Sequence, residues 1–148
     1  MNTKRYHTNK LLTAVLFSLM LTLIVGCGDG EFSPTLTETD WQWTQLETTE
    51  GDTITMVSNP EDFVLRLNAD ETVGITADCN VVNGTHTVDG SSLSIELGIS
   101  TMAYCGDDSL DELFLNSLSA ADSFIIENGK LKIILNDGAG TMTFDEMQ

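Results

Sequence analysis

The chain has 148 residues, enough for one domain and an appendage, with 41% hydrophobic residues to build a core and a formal charge of −17. Lys4, Arg5 and Lys10 make up half of its basic residues, so everything from Cys27 onward sets three cations against all 23 acidic residues. A surface that negative excludes nucleic-acid binding, which needs clustered Lys and Arg, and suits a solvated shell, a cation or a basic partner.

The N-terminal block reads as an export signal. Its three cations precede the apolar run LLTAVLFSLMLTLIV over 11–25, shorter than the about 20 residues of a membrane span and the size of a signal-peptide core. The run closes on Ile24-Val25-Gly26-Cys27, which resembles a bacterial lipobox, where a small residue before the cysteine lets the peptidase reach the bond. An ordinary secretory signal and an uncleaved anchor are the alternatives, and the position of Gly26 and Cys27 at the end of the run favours a lipoprotein. Residues 1–26 are then a lipoprotein signal peptide. Cys27 would carry diacylglycerol and, on its freed amine, a further acyl chain of palmitate type, each buried CH₂ contributing about 0.8 kcal/mol. Such a chain sits in a bacterial cell envelope, bound to the membrane by its lipid and facing the periplasm.

The stretch GDGEFSPTLTETD over 28–40 is small, polar and acidic, which predicts a flexible tether over 27–40 and a folded domain over 41–148. The domain reads mainly as strands. FVLRL puts Phe63, Leu65 and Leu67 on one face, and SLSIELG does the same with Leu93, Ile95 and Leu97. Asp89-Gly90, Asn128-Gly129 and Asp137-Gly138 signal hairpin turns, and SFIIE, KLKIIL and GTMTF around the last two predict a three-stranded meander. One segment follows helical spacing instead. Leu110, Leu113, Phe114 and Leu118 share a helical face, and Ser109 with Glu112 forms a capping-box pattern. An amphipathic helix of about ten residues follows, its apolar stripe facing the core.

Cysteines beyond an export signal meet an oxidising compartment. With Cys27 taken by lipid, Cys79 and Cys105 remain as a pair. A metal site would want four ligands, and there is no CxxC and only His86 after Cys27. A nucleophilic thiol is disfavoured too, because Asp78, Asp107 and Asp108 oppose thiolate formation. The two read as a disulfide closing the 79–105 loop and stabilising the fold by about 3–4 kcal/mol. Asp107, Asp108, Asp111 and Glu112 do not follow EF-hand spacing and suit the start of a helix. Asn83-Gly84-Thr85 matches a glycosylation sequon, which carries no meaning in a bacterial lipoprotein and reads as a turn or bulge. No serine lies in a G-x-S-x-G elbow.

Cys79-Asn80 with Gly84, then Thr101 and Cys105 in STMAYC, a short helix, GKLKIIL and a closing TMTF ending on Phe144 together resemble the META domain, or HslJ-like, family. WQWTQL over 41–46 fits the tryptophan strand that opens this family, and the resemblance covers about 41–146. Two residues depart from the pattern: Asp78 stands where a glycine usually precedes the CN pair, and His86 where an aromatic usually follows the glycine. The resemblance implies an α+β, mainly antiparallel β fold, a small curved barrel-like sheet with one packed helix. It implies a structural role for His86, and a heat-shock, stress-response association without a catalytic constellation.

The expected function is therefore a non-enzymatic envelope lipoprotein, monomeric, a stress-associated structural or interaction module whose partner is another envelope protein. No cofactor, metal or nucleic acid is expected. The alternative is a binding module holding a small apolar ligand or lipid in the curved sheet. Cavity volume separates the two: a sheet filled by Phe63, Leu65, Ile95, Ile133 and Phe144 has no room, whereas a ligand needs about 300 Å³.

Overall fold

The computed structural model describes residues 35–148; the expected signal peptide, the Cys27 lipidation site and residues 28–34 of the tether lie outside the described residues. In chain order the elements are β1 (Asp40–Thr48), β2 (Thr53–Met56), β3 (Phe63–Leu67), β4 (Thr72–Ala77), β5 (Asn80–Asp89), β6 (Ser92–Ser100), α1 (Asp111–Ser119), β7 (Ala121–Glu127), β8 (Lys130–Leu135) and β9 (Gly140–Glu146). All neighbours are antiparallel, in the order β1-β3-β4-β5-β6-β7-β8-β9, and β9 returns to pair with β1. Eight strands thus close a barrel, with β2 added as a hairpin on the second half of β1. The curved, barrel-like sheet with one packed helix is the fold expected from the sequence.

Turn chemistry sets the meander. Asn128 and Gly129 have φ of 53° and 73°, and Asp137 and Gly138 of 53° and 66°, the left-handed pairs that join strands tightly. Around Asp89-Gly90 the turn falls one residue later than expected, because Asp89 still pairs with Ser92 in the ladder and Gly90 alone has positive φ.

Burial follows the period-2 pattern, with informative breaks. Trp41 and Trp43 point inward on β1, yet the next inward residue is Leu46. The register against β9 slips between Trp43 and Gln45, so Thr44 is a bulge that switches which parity faces the core. A second slip, between Val82 and Gly84 on β5, sets two residues of β6, Gly98 and Ile99, against Asn83 alone. The extra residue therefore lies on β6, opposite the sequon and not within it.

The interior is filled. Phe63, Leu65, Ile95, Ile133 and Phe144 are all buried there, with Trp41, Trp43, Leu131 and Met142 among them. Helix α1 covers one mouth of the barrel. Its Phe114 stacks on Trp43 at 5.0 Å between centroids, meets Phe63 edge-on at 5.5 Å and lies 6.2 Å from Phe144, rings contributed by β1, β3 and β9. Among the described residues no helix is long and apolar enough to cross a membrane.

Three details depart from expectation. The helix starts at Asp111 and the capping box does not form. The Ser109 hydroxyl is drawn across the loop to donate to Asp78 Oδ2 (2.6 Å) while accepting from the Asp111 N–H, and the Glu112 N–H bonds Asp111 Oδ1. Leu113 stays partly exposed, because the inward stripe is the four-spaced set Leu110, Phe114, Leu118, with Ser117 beside it. Finally, the end of the expected tether belongs to the barrel. Thr37 bridges Leu67, the Trp41 Nε1–H donates to the Leu36 carbonyl (3.1 Å), and Glu38 pairs with Arg66 (3.0 Å). Residues 36–38 therefore pack with the barrel.

Candidate functional site

The sequence motifs converge at the end of the barrel where β4 turns into β5. That turn has two residues, Asp78 and Cys79, and Asp78 sits at φ 55°. A positive φ explains why glycine suits this position, and Asp is among the few side chains that tolerate it. Its carboxylate is held by Ser109, so the substitution is accommodated by a local bond. Next to it, Cys79 and Cys105 form the expected disulfide, with Cα atoms 5.6 Å apart.

Asn80 is the hub. It is buried, and its Oδ1 accepts from the Ala103 N–H (2.8 Å) and the Thr101 hydroxyl (3.1 Å). Its Nδ2 shares two hydrogens among the Ala103 carbonyl (3.0 Å), Asp111 Oδ2 (3.2 Å) and Cys105 Sγ (3.3 Å). Thr101 completes the frame by standing in for a ladder partner. Its backbone N–H donates to the Val81 carbonyl (3.0 Å) and its Oγ1 accepts from the Val81 N–H (2.9 Å). One side chain, one hydroxyl and one disulfide thus fix the 101–105 loop to β5 and to the helix start.

Gly84 serves a different purpose. A Cβ there would lie 2.1 Å from the Glu96 carbonyl oxygen, and one at Gly98 would lie 2.7 Å from the Asn83 oxygen. Two backbones cross too closely for side chains, which permits the β5–β6 bulge. Phe144 pairs with Trp43 across the β9–β1 seam and belongs to the core. The family-motif residues Asn80, Thr101 and the two cysteines are therefore one assembly, while Gly84 and Phe144 act apart from it.

His86 is buried against Ile95, where a packing role was expected, but its Nδ1 is buried without a hydrogen-bond partner. Among the described residues no group of three or more His, Cys, Asp or Glu is placed to hold a metal ion.

What the motifs frame is apolar and exposed. The β6 bulge turns Ile99 outward, and the Asn80 clamp on Ala103 leaves Met102 and Tyr104 on the outside. These three are 85%, 95% and 79% exposed, with Val81 half-exposed beside them. The strand period alone would have placed Ile99 inward with Leu97; only the bulge, created by the Gly84–Gly98 crossing, reverses it. Acids flank this face. The Tyr104 hydroxyl donates to Asp107, which raises the phenol's pKa above its ordinary range. A hollow of about 280 Å³ next to it is lined by Tyr104, Gly106, Asp107, Ser109, Asp111 and Glu112.

A closed eight-stranded antiparallel barrel, capped by one helix and braced by a disulfide at the β4–β5 turn, defines a class of small β-barrel domains. The chain belongs to the META domain family, whose model matches residues 34–148. In fold it is similar to a protein from Burkholderia xenovorans solved by NMR, with 21% identity and a TM-score of 0.62, over 76% of this chain and 84% of that one. A DUF4847-family protein from Bacteroides vulgatus is also similar, with 12% identity and a TM-score of 0.58 over 74% and 93% of the two chains. No curated protein matches the chain in sequence.

Proposed function

We propose that this META-domain chain is a non-catalytic lipoprotein of the bacterial envelope, anchored through Cys27, facing the periplasm, and acting as a stress-associated interaction module. The observation that carries the reading is a contrast between inside and outside. The barrel is packed with its own side chains, whereas Ile99 at the end of β6 and Met102 and Tyr104 on the loop after it stand in solvent, the loop pinned by four Asn80 hydrogen bonds and a disulfide. Apolar side chains held in water add nothing to the core, and exposed Met and Tyr are the residues by which surfaces meet partners. The lipid site gives the module its address. It rests on the cationic, apolar, Gly-Cys order of the first 27 residues.

Two measurements test it together. Cys27→Ser should release the chain from membranes or leave it as a precursor, and unchanged partitioning into detergent would remove the anchor. Mild crosslinking in intact envelopes should shift the wild-type chain into a larger complex that Met102→Glu depletes. A chain that stays free in both, and that co-purifies with an apolar small molecule, would point back to the ligand-holding alternative.

A further inference from the structure

We propose that the face formed by Val81, Ile99, Met102 and Tyr104 docks a cationic polypeptide segment, one that sets Lys or Arg next to apolar anchors. This rests on the interaction-module reading and names the partner's chemistry.

The charge distribution is the first ground. Between Arg66 and Lys130 the chain contains no Lys or Arg, so the stretch holding β4 to α1 carries acids alone. The three cations of the described residues are each already matched elsewhere: Arg66 by Glu38 and Asp40, Lys130 by Asp145, and Lys132 by Glu127. Around the apolar face, Asp107, Asp108 and Glu112 have no cation to meet among the described residues. An apolar centre with a one-signed rim selects a partner of opposite sign, and the rim steers its approach.

Shape is the second. The acid-lined hollow of about 280 Å³ opens beside Tyr104, large enough for a Lys or Arg head while its stem lies along the ring.

Placement is the third, and it argues for a polypeptide over a lipid surface. The described chain enters at Thr37, bridged to Leu67 at the far end of β3, whereas the apolar face sits at the Asp78-Cys79 turn, where β4 ends. The face is presented at the end of the barrel opposite the Thr37–Leu67 bridge, and its carboxylates would repel an anionic leaflet.

The test uses the full-length lipoprotein in living cells, with a photo-crosslinking phenylalanine analogue placed in turn at Ile99, Met102 and Tyr104. Ile54 and Ile125, exposed apolar residues on other strands, serve as controls. None of the five is buried, so folding is not at stake. Crosslinks to a protein are expected at Ile99, Met102 and Tyr104, not at the controls, and the crosslinked peptide should carry Lys or Arg. Asp107→Lys with Asp108→Lys should lower the yield about fivefold or more, while Asp52→Lys with Glu50→Lys leaves it unchanged. A neutral or acidic crosslinked peptide, or indifference to the Asp107/Asp108 reversal, overturns the cationic partner and leaves the interaction module standing. Lipid adducts at Met102, or crosslinks confined to Ile54 or Ile125, overturn this face. Crosslinks at none of the five positions sink both readings.

Discussion

Asn80 concentrates most of the site's order in one amide. Truncation in Asn80→Ala would leave the Ala103 N–H and carbonyl, the Thr101 hydroxyl and Asp111 short of partners in a partly buried place. Each unsatisfied buried group costs about 1–3 kcal/mol, with water entering to relieve some of it. Asn80→Ala should therefore lower stability by about 2–3 kcal/mol in urea denaturation, with amide exchange rising first over 101–105. Asn80→Asp should be worse at neutral pH, because a carboxylate would face the Ala103 carbonyl and the Asp111 carboxylate. His86 makes the reverse case. Its buried Nδ1 has no partner, so His86→Phe removes that deficit and keeps a ring against Ile95. A rise in melting temperature of about 3–8 °C is expected, corresponding to roughly 1 kcal/mol; a fall would mean that the imidazole is bonded through water.

Strand pairing turns on where backbones may cross. Gly84 and Gly74 are both glycines in adjacent strands, yet an added Cβ at Gly84 meets the Glu96 carbonyl at 2.1 Å, while at Gly74 nothing lies within 4 Å. Gly84→Ala must open the β5–β6 ladder and should cost about 3 kcal/mol or more; Gly74→Ala should be neutral or slightly stabilising. Thermal melts of the two variants side by side decide it, and equal losses would refute the crossing. The disulfide works on the same pair of elements, holding the loop after β6 to the turn before β5. Cys79→Ala should lower the melting temperature by about 10–25 °C, as loss of a bridge worth about 3–4 kcal/mol does at this domain size.

These elements also show what was legible in the sequence. Strand faces, the meander, the helix and the disulfide follow from period-2 and helical spacing, Asn-Gly and Asp-Gly turns, and the pairing of two leftover cysteines. Hidden from it were the bulges at Thr44 and Gly98, since a register slip depends on which strand lies opposite. The exposure of Ile99 follows from one of those slips, and that of Met102 and Tyr104 from the Asn80 clamp on Ala103. Likewise the alternative bonding of Ser109, which dissolves the capping box, depends on Asp78 being brought within 2.6 Å by the fold.

At the scale of the molecule the decisive ladder is the one between the chain's two ends. β9 is the last strand and β1 the first, and seven residue pairs from Trp41↔Glu146 to Thr48↔Gly140 join them. Because that seam closes the barrel over Trp41, Trp43, Leu131 and Phe144, it must form late and cooperatively, with loop-closure entropy set against it until the core is buried. The ends themselves lie side by side, the Met147 N–H donating to the Asp40 carbonyl at 2.9 Å. Connectivity and closure are therefore separable. A permutant that joins Gln148 to Thr35 through a short Gly/Ser linker and opens the chain between Asn128 and Gly129 keeps every ladder of the barrel. Its new ends fall in an exposed two-residue turn, the kind of place where chain breaks are tolerated. It should fold with a melting temperature within about 5–10 °C of the parent, a loss of about 1–2 kcal/mol. Truncation after Ala139 keeps the native connectivity but removes β9, exposing both tryptophans and leaving β1 and β8 as open edges. That chain should show no cooperative unfolding transition by tryptophan fluorescence. A stable truncation, or a permutant that fails to fold while the parent does, would mean that the barrel is held by its hairpins and not by the seam between its ends.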